Sequence, residues 1–557
     1  MEAGQGKKTP HPHVVVFPLP YQGHINPMLQ LATFLHSKGF AITVFHTRFH
    51  SPNPSNFPHF VFEPIPDGLP DDVLSKEDPI DIVDILNETC REPFHDRFSQ
   101  IATHGPKGPV TCIITDVLFH FTQAIADGFN LPRFALCTSG AIYDVASRRL
   151  KRLKENGSAS MAAAGGQLDE PVPEISLLRL KDLPDMGSAN PDRVAALIEN
   201  TENSIRSTRA LIWNTFEGLE STELEEIKPD FHPVPIFVVG PLHMLSPGSS
   251  NSLLKEDYSC MAWLDKQSPG SVLYVSFGSV GIVDTKYLEE IAWGLANSGQ
   301  PFLWVVRPGL IQGQAEFQMP DGFEEETRER GCVVEWAPQE KVLAHPSVGA
   351  FWTHNGWNST LEGISRGVPM ICSPYLWDQK VNARYVSQAW GMGLQLEKRF
   401  DRGEIEHAIK RLMVGAEGKE VRKRINDFKE IAIRDISKGG SSYESAEDLS
   451  KLIMIILARK VQRVFYKIKI FEPKNRKTEQ KIESIINPYV SHAGGLGLQL
   501  EKGFDRGEIE QVIRRLMVDA EGKEIRKRIN DLKEIAISET NKEIAIREIS
   551  RIILSFC

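Results

Sequence analysis

The 557-residue chain lacks several features that mark whole classes of protein. Its seven cysteines are scattered and never form a C-x-x-C pair, which fits reduced thiols in a core better than disulfides or a zinc site. No stretch approaches the roughly 18 apolar residues of a membrane helix, and the polar N-terminus has no apolar signal segment. A net charge of -9 argues against a nucleic-acid partner, because phosphate-binding faces are basic. We therefore expect a cytoplasmic, monomeric globular protein that binds small molecules.

Several catalytic motifs are also missing. The chain contains no D-x-D pair, so no divalent metal is expected to hold a diphosphate. No G-x-G-x-x-G follows the first predicted strand, and the EGKE segments lack the spacing of a P-loop. A nucleotide-dependent oxidoreductase and a kinase are therefore disfavoured alternatives.

Short apolar runs alternate with helical spacing along most of the chain, which predicts an α/β fold with parallel sheets. The first run, at 14–17, is followed by a loop, a helical stretch and a second run at 41–45. The length suits two doubly wound, Rossmann-like domains facing one cleft, with a helical C-terminal appendage. The predicted units are a first domain (1–235), a Pro-rich linker (236–256), a second domain (257–440) and a closing helix (441–457).

Two segments stand outside this pattern. Residues 151–187 are rich in Gly, Ala, Ser and Pro and predict a flexible loop on the first domain. A basic connector (458–488) leads to a partial duplicate (489–557) of residues 385–437, in which GLQLEKRFDRGEIE returns as GLQLEKGFDRGEIE. The copy has none of the motif residues described below, so we expect no second active site. The tail has three interpretations: a solvated face, a nucleic-acid or membrane contact, or a gene fusion with little fold of its own.

The segment THNGWNSTLE lies at a predicted turn from a strand into a helix. Backbone N–H groups and the positive end of the helix dipole favour an anion there, and a diphosphate would suit this position. His354, Asn358 and Ser359 can add hydrogen bonds, as can Ser279 in the turn after another strand. The alternative is that Ser359 and Glu362 only form a capping box.

A candidate base lies in the first domain. His24 is in the loop PYQGHINP at the carboxyl end of the first strand, where open α/β sheets bind ligands. Asp116 ends the strand CIITD at the same sheet edge and can orient an imidazole and stabilise its charged form. A lone histidine is more often structural, and Asp116 can also serve as a helix N-cap.

The segment WAPQEKVLAHPSVGAFWTHNGWNSTLEGISRGVPMICSPYLWDQ (336–379), together with FPLPYQGHINPMLQLATFL, closely resembles plant secondary-product UDP-glycosyltransferases. These form glycosyltransferase family 1 and have the GT-B fold, and the resemblance extends to about residue 457. It implies that His24 is the base and Asp116 its partner. It also implies that the donor is bound by Thr138, Ser279, Trp336, Ala337, Gln339, His354, Trp357, Asn358, Ser359, Glu362, Asp378 and Gln379. Within that set, Trp336 and Ala337 would hold uracil, Gln339 and Glu362 the ribose, and Trp357, Asp378 and Gln379 the sugar.

The resemblance implies weaker assignments on the acceptor side, to Phe119, His120, Ser139 and Tyr375. A terminal Gln379, where some members have His, favours glucose over galactose. Two positions depart from the family pattern: Trp377 replaces a small residue, and Ser373 stands where Arg is frequent. We expect Trp377 to narrow the acceptor side.

The sequence thus predicts an inverting, metal-independent UDP-glucosyltransferase that needs no cofactor. Its acceptor would be a small lipophilic plant metabolite or hormone. The alternative is a catalytically impaired nucleotide-sugar-binding protein with a fused tail, although the presence of both His24 and Asp116 argues against it.

Overall fold

The computed structural model describes residues 12–70, 79–104, 110–155, 168–173, 175–183, 191–248, 252–279, 281, 283–311, 318–397 and 400–471. Two parallel sheets organise these residues into two lobes. The strands of the first sheet are β1 (His13–Phe17), β2 (Ala41–Thr47), β3 (Val61–Ile65), β4 (Val110–Asp116), β5 (Arg133–Cys137), β8 (Ala210–Trp213) and β9 (Ile236–Val238). A separate antiparallel pair is formed by β6 (Pro171–Val172) and β7 (Ile175–Arg179). The first sheet has the order β3-β2-β1-β4-β5-β8-β9.

Helices cover both faces of the first sheet. They are α1 (Gln22–Ser37), α2 (Pro79–Thr89), α3 (Arg91–His104), α4 (Thr122–Gly128), α5 (Ala141–Glu155), α6 (Pro191–Ser207), α7 (Glu217–Phe231) and α8 (Leu242–Leu245), with 3-10 turns at Pro54–Asn56 and Leu180–Asp182. Every residue of β1 and β4 is buried, as expected for central parallel strands that are covered on both faces.

The second sheet repeats this arrangement in the order β12-β11-β10-β13-β14-β15. Its strands are β10 (Val272–Ser276), β11 (Phe302–Val305), β12 (Gly331–Val334), β13 (Val348–Thr353), β14 (Met370–Cys372) and β15 (Gly393–Gln395). Its helices are α9 (Ser259–Leu264), α10 (Thr285–Ser298), α11 (Phe323–Thr327), α12 (Gln339–Leu343), α13 (Trp357–Arg366), α14 (Asp378–Arg384), α15 (Arg402–Met413) and α16 (Ala416–Ile436), and a π-helical turn spans Tyr385–Ala389.

Both sheets change winding direction beside their first strand, between β1 and β4 and between β10 and β13. In open α/β sheets, ligands bind at the carboxyl ends of the strands next to this switch point. In the first lobe β1 leads into α1 at that edge, and in the second lobe β13 leads into α13. The two predicted ligand-binding turns therefore lie at the switch points of their sheets.

Two segments of the first lobe differ from the sequence-based expectation. Strand β9 lies in the predicted linker, yet it pairs with β8 in the first sheet. Part of the predicted flexible loop forms the β6–β7 hairpin, because Val172 and Leu178 are buried in the core. These two strands give residues 171–172 and 175–179 a regular structure.

The closing helix returns to the first lobe. Helix α17 (Ser441–Phe471) packs Leu449, Ile453 and Met454 into the core beside the first sheet. It runs beyond the predicted end at 457 into the basic connector. The rest of that connector and the partial duplicate (489–557) lie outside the described residues. Among the described helices, none combines the length and the apolar character needed to cross a bilayer.

Candidate active site

A cleft of about 1340 Å³ lies between the lobes. Most of the predicted site residues line it: His24, Thr138, Ser139, Ser279, Trp336, Ala337, Gln339, His354, Trp357, Asn358, Ser359, Glu362, Tyr375, Asp378 and Gln379. Residues that are distant in sequence therefore meet around one cavity, and the first lobe faces the second across it.

His24 and Asp116 form a direct pair in the first lobe. The Nδ1 atom of His24 lies 2.6 Å from Oδ2 of Asp116 and 2.9 Å from Oγ1 of Thr138. Asp116 is completely buried, whereas the His24 side chain is 18% exposed toward the cleft. Because the carboxylate accepts the Nδ1 proton, Nε2 is the nitrogen left with the lone pair that a base needs.

The electrostatics of this pair favour the imidazolium. Burial lowers the pKa of His24, but the charge and hydrogen bond of Asp116, together with Asp378, outweigh burial and raise it above 6.5. The other oxygen of Asp116 accepts the backbone N–H of Leu118 at 3.0 Å. This bond orders the turn after β4, but the alternative that Asp116 is a helix N-cap is wrong, because α4 begins at Thr122 and its N-cap residue is Phe121.

Arg133 forms hydrogen bonds to the end of β4 next to the His24–Asp116 pair, and the sequence did not indicate this role. It is fully buried, and its guanidinium donates to Thr115 Oγ1 at 2.8 Å, to Ser204 Oγ at 2.9 Å and to the carbonyl of Asp116 at 3.3 Å. Burial lowers the pKa of Arg133 to about 10, against the attraction of Asp116. A single arginine in an apolar strand gave no pattern from which this role could be read.

Of the four residues predicted on the acceptor side, Ser139 and Tyr375 line the cleft, whereas Phe119 and His120 do not. Phe119 is completely buried and stacks on Phe17 with ring centroids 4.4 Å apart, so it belongs to the aromatic core of the first lobe. Neither Phe119 nor His120 is among the residues that line the cleft, and this position does not support an acceptor contact. Val117 and Leu118, earlier in the same turn, line the cleft instead.

The turn predicted to bind a diphosphate lies at the N-terminus of α13, where Gly356 is the N-cap. The His354 ring packs tightly against two glycines: a Cβ at Gly278 would lie 2.5 Å from its Cε1, and one at Gly356 would lie 2.6 Å from its Nε2. Gly278 also has a φ of +73°, which side chains rarely adopt. Burial and the charge of Arg307 lower the pKa of His354 to about 4, which favours the neutral ring.

The capping-box alternative for this turn is wrong. Ser359 lies inside α13 rather than at its N-cap, and α13 has no side-chain cap. Ser359 Oγ and Glu362 Oε2 instead accept from Nε2 of Gln339, at 3.0 and 2.7 Å. The predicted ribose-binding residues thus form a hydrogen-bonded group. Burial and the charge of Glu340 raise the pKa of Glu362 to about 8.

The predicted sugar-binding pair begins helix α14. Asp378 accepts from Asn382 Nδ2 at 2.9 Å, and burial raises the pKa of Asp378 to about 6. The Gln379 Oε1 atom accepts from the backbone of Tyr375 at 2.9 Å and of Leu376 at 3.2 Å. Those bonds fix the amide, so its NH₂ group is the part available to a sugar hydroxyl. Trp377 lines the cleft at a φ of 54°, a strained conformation for a large side chain.

Asn214 of the first lobe forms hydrogen bonds to the second lobe at the site, and the sequence did not indicate this role. Its Nδ2 donates to Asn358 Oδ1 at 3.1 Å, and its carbonyl accepts from Trp357 Nε1 at 2.7 Å. The Nδ2 of Asn358 in turn donates to the carbonyl of Gly23 at 2.6 Å. Gly23 and His24 lie in the first turn of α1 rather than in the predicted loop, and this turn is therefore bonded to the first residues of α13.

Glu220 stabilises the N-terminus of α5, which follows Thr138. It is fully buried and accepts from the backbone N–H groups of Ala141 and Ile142, at 2.9 and 3.0 Å, and from Thr215 Oγ1 at 2.6 Å. Burial raises the pKa of Glu220 to about 7. Its carboxylate caps α5 directly after the Thr138 loop.

Within the described ranges, no group of three or more His, Cys, Asp or Glu side chains is placed to hold a metal ion.

Comparisons with known proteins agree with this geometry. The family described as "UDP-glucoronosyl and UDP-glucosyl transferase" matches residues 232–428. UDP-glycosyltransferase 76B1 of Arabidopsis thaliana is 45% identical, over 80% of this chain and 98% of the relative. DIMBOA UDP-glucosyltransferase BX8 of Zea mays is 41% identical, over 80% of this chain and 98% of the relative.

Solved structures show the same likeness. Os79 from O. sativa in complex with UDP has a TM-score of 0.68 and 28% identity, and the match covers 79% of this chain and 100% of that one. Phytolacca americana UGT2 complexed with UDP-2fluoro-glucose and pterostilbene has a TM-score of 0.67 and 28% identity, over 80% and 99% of the two chains.

Proposed function

Because the chain belongs to the plant UDP-glycosyltransferases of the UDP-glucoronosyl and UDP-glucosyl transferase family, we propose that it transfers glucose from UDP-glucose to a hydroxyl group of a small lipophilic acceptor. The predicted family and the predicted GT-B fold are both confirmed by the relatives and the structural neighbours. The identity of the sugar and of the acceptor, and the roles of single residues, belong to the proposal.

One observation carries the proposed mechanism. His24, paired with Asp116 at 2.6 Å, lies in the first lobe and lines the same cleft as the N-terminus of α13 in the second. A base and an anion-binding helix end on opposite lobes are the two parts that a displacement at a sugar diphosphate requires.

The reaction is a single in-line displacement. Nε2 of His24 takes the proton from the acceptor hydroxyl as its oxygen forms a bond to the anomeric carbon. The bond from that carbon to the diphosphate oxygen breaks, and its electron pair leaves with UDP. Attack from the side opposite the leaving group inverts the anomeric carbon. Asp116 stabilises the imidazolium, and the N-terminus of α13 with His354 stabilises the charge on UDP.

The choice of glucose rests on Gln379, whose Oε1 accepts from the backbone of Tyr375, so that its NH₂ group is the part left to bind a sugar hydroxyl. The names of relatives support a glucosyl donor and a small aromatic acceptor, since they include a flavonol 3-O-glucosyltransferase and a DIMBOA glucosyltransferase. A lipophilic acceptor also suits the first-lobe side of the cleft, which has several apolar side chains: Ile80, Val117, Leu118, Val194, Leu197 and Ile198.

Four finer statements complete the proposal. The first lobe holds the acceptor and the second holds the donor, with boundaries near those predicted. Protein dipoles rather than a metal ion stabilise the leaving diphosphate, so no cofactor is needed. The enzyme acts as a monomer. It works in the cytoplasm, where UDP-sugars would meet it.

The test offers UDP-glucose, UDP-galactose and UDP-xylose, with phenolic and terpenoid acceptors and with EDTA present. Wild type, His24→Ala and His407→Ala are compared, because His407 is an exposed histidine on α15 and serves as the matched control. We expect turnover of UDP-glucose that survives EDTA, a severe loss in His24→Ala and none in His407→Ala. Binding of UDP-glucose without turnover in the wild type would instead support an impaired nucleotide-sugar-binding protein.

A further inference from the structure

A buried ion pair joins the two lobes beside the cleft. Arg384 Nε lies 3.0 Å from Asp182 Oδ2, and both side chains are only 3% exposed. Asp182 ends the 3-10 turn that follows the β6–β7 hairpin of the first lobe. Arg384 is the last residue of α14 in the second lobe. The pair therefore connects an element on the acceptor side to the helix that starts with the predicted sugar-binding residues.

Both charges have further partners. Asp182 Oδ2 also accepts the backbone N–H of Arg179 at 2.9 Å. Arg384 Nη1 lies 3.4 Å from Glu397, and Glu397 in turn lies 3.3 Å from Arg179. These contacts make a short chain of alternating charges across the lobe interface.

Stability alone does not explain such a pair. Removing two charges from water costs free energy that their attraction barely offsets, and a well-packed apolar pair at the same place is often as stable. What the ion pair adds is a fixed orientation, because a guanidinium donates to a carboxylate only in the plane of its N–H groups.

Helix α14 carries Asp378 at its first position and Arg384 at its last. It has only seven residues and begins directly after the strained Trp377. Arg384 follows Asp378 by six positions, which is about 9 Å along a helix. A small displacement at the Arg384 end therefore moves the carboxylate of Asp378 and the amide of Gln379 by a similar amount.

We propose that Asp182 and Arg384 are positioning residues that hold α14 in the orientation in which Asp378 and Gln379 bind the donor sugar. The first lobe thereby helps to set how the second lobe binds its sugar. This inference rests on the proposed function, because it assigns those two side chains to the sugar of a UDP-sugar.

The experiment separates position from stability. Asp182→Leu combined with Arg384→Met replaces the pair by apolar side chains and leaves no buried charge unpaired, so we expect it to fold with a melting temperature near that of the wild type. Arg384→Met alone leaves the buried Asp182 carboxylate without its guanidinium partner, so the melting temperature of this variant should be lower than that of the wild type. Arg411→Met is the matched control, because Arg411 forms a two-bond pair with Glu417 on the surface of the second lobe.

Binding of UDP and of UDP-glucose is measured by calorimetry on the full chain, and the ratio of the two Kd values reports the contribution of the sugar. For the double variant we expect an unchanged Kd for UDP and a Kd for UDP-glucose raised about tenfold, a size typical of coupled contacts. The control should bind both like the wild type.

A double variant that is as stable as the wild type and keeps its ratio of Kd values would overturn the inference, and so would an equal loss for UDP and UDP-glucose. If the wild type binds neither ligand, the proposed function fails, and the inference fails with it. The two failures are therefore distinguishable in one set of titrations.

Discussion

Replacing Asp116 by Asn tests the proposed dyad at its most sensitive point. The change keeps the size of the side chain but removes a buried charge whose Oδ2 lies 2.6 Å from His24 Nδ1. Two unit charges with centres about 4 Å apart interact by about 4 kcal/mol at an effective dielectric constant of about 20. Because the imidazolium forms only as the reaction proceeds, losing that attraction should lower kcat/KM by about three powers of ten.

The pH dependence of kcat/KM should also change, in a direction set by the pKa of His24. His24 acts as a base only when it is neutral, so kcat/KM falls as the pH drops below the pKa of His24. In the wild type Asp116 raises this pKa above 6.5 against the effect of burial, so the fall begins at a higher pH. In Asp116→Asn burial remains while the attraction is lost, and the fall should move to lower pH.

The assay is initial-rate turnover of UDP-glucose with a saturating acceptor between pH 5 and 9. Asp127→Asn, an exposed carboxylate on α4, is the matched control and should behave like the wild type. General damage to the fold would lower the rate at every pH without moving the profile. A near-wild-type rate in Asp116→Asn with an unmoved profile would refute the reasoning.

Three further predictions concern the support of the site. Glu220→Ala strands two helix N–H groups and a hydroxyl, so the free energy of unfolding in urea should fall by about 3 kcal/mol, and an unchanged midpoint would contradict that role. Gly278→Ala should raise the Kd of UDP about tenfold because a Cβ would displace His354, whereas Gly299→Ala, with a similar φ of +69° but open space, should leave the Kd unchanged. A chain ending at Phe471 should keep full turnover, since every residue that lines the cleft precedes it; loss of activity would show that the remaining residues contribute.

The sequence was most informative where local pattern and topology agree. His24 and Asp116 are 92 positions apart, yet His24 follows and Asp116 ends a buried strand of one parallel sheet, so the pattern predicted that they meet at its edge. The turn into α13 was readable for the same reason, because its polar and glycine residues follow a buried strand directly.

What the sequence did not reveal depends on contacts between distant segments. Asp182 and Arg384 are 202 positions apart and neither belongs to a local motif. Glu220 sits among other acidic residues of α7, and only the fold shows that its carboxylate turns inward. Phe119 lies in the aromatic core of the first lobe, and the sequence does not reveal this because an aromatic residue near a site can face either the core or the cleft.

The central claim is that an imidazole of the first lobe faces a diphosphate held by the second. The most direct measurement is a crystal structure with UDP-2-fluoro-glucose bound. The account predicts the diphosphate at the N-terminus of α13 beside His354, with Nε2 of His24 facing the anomeric carbon from the side opposite UDP. A nucleotide bound away from α13, or an imidazole turned from that carbon, would contradict it.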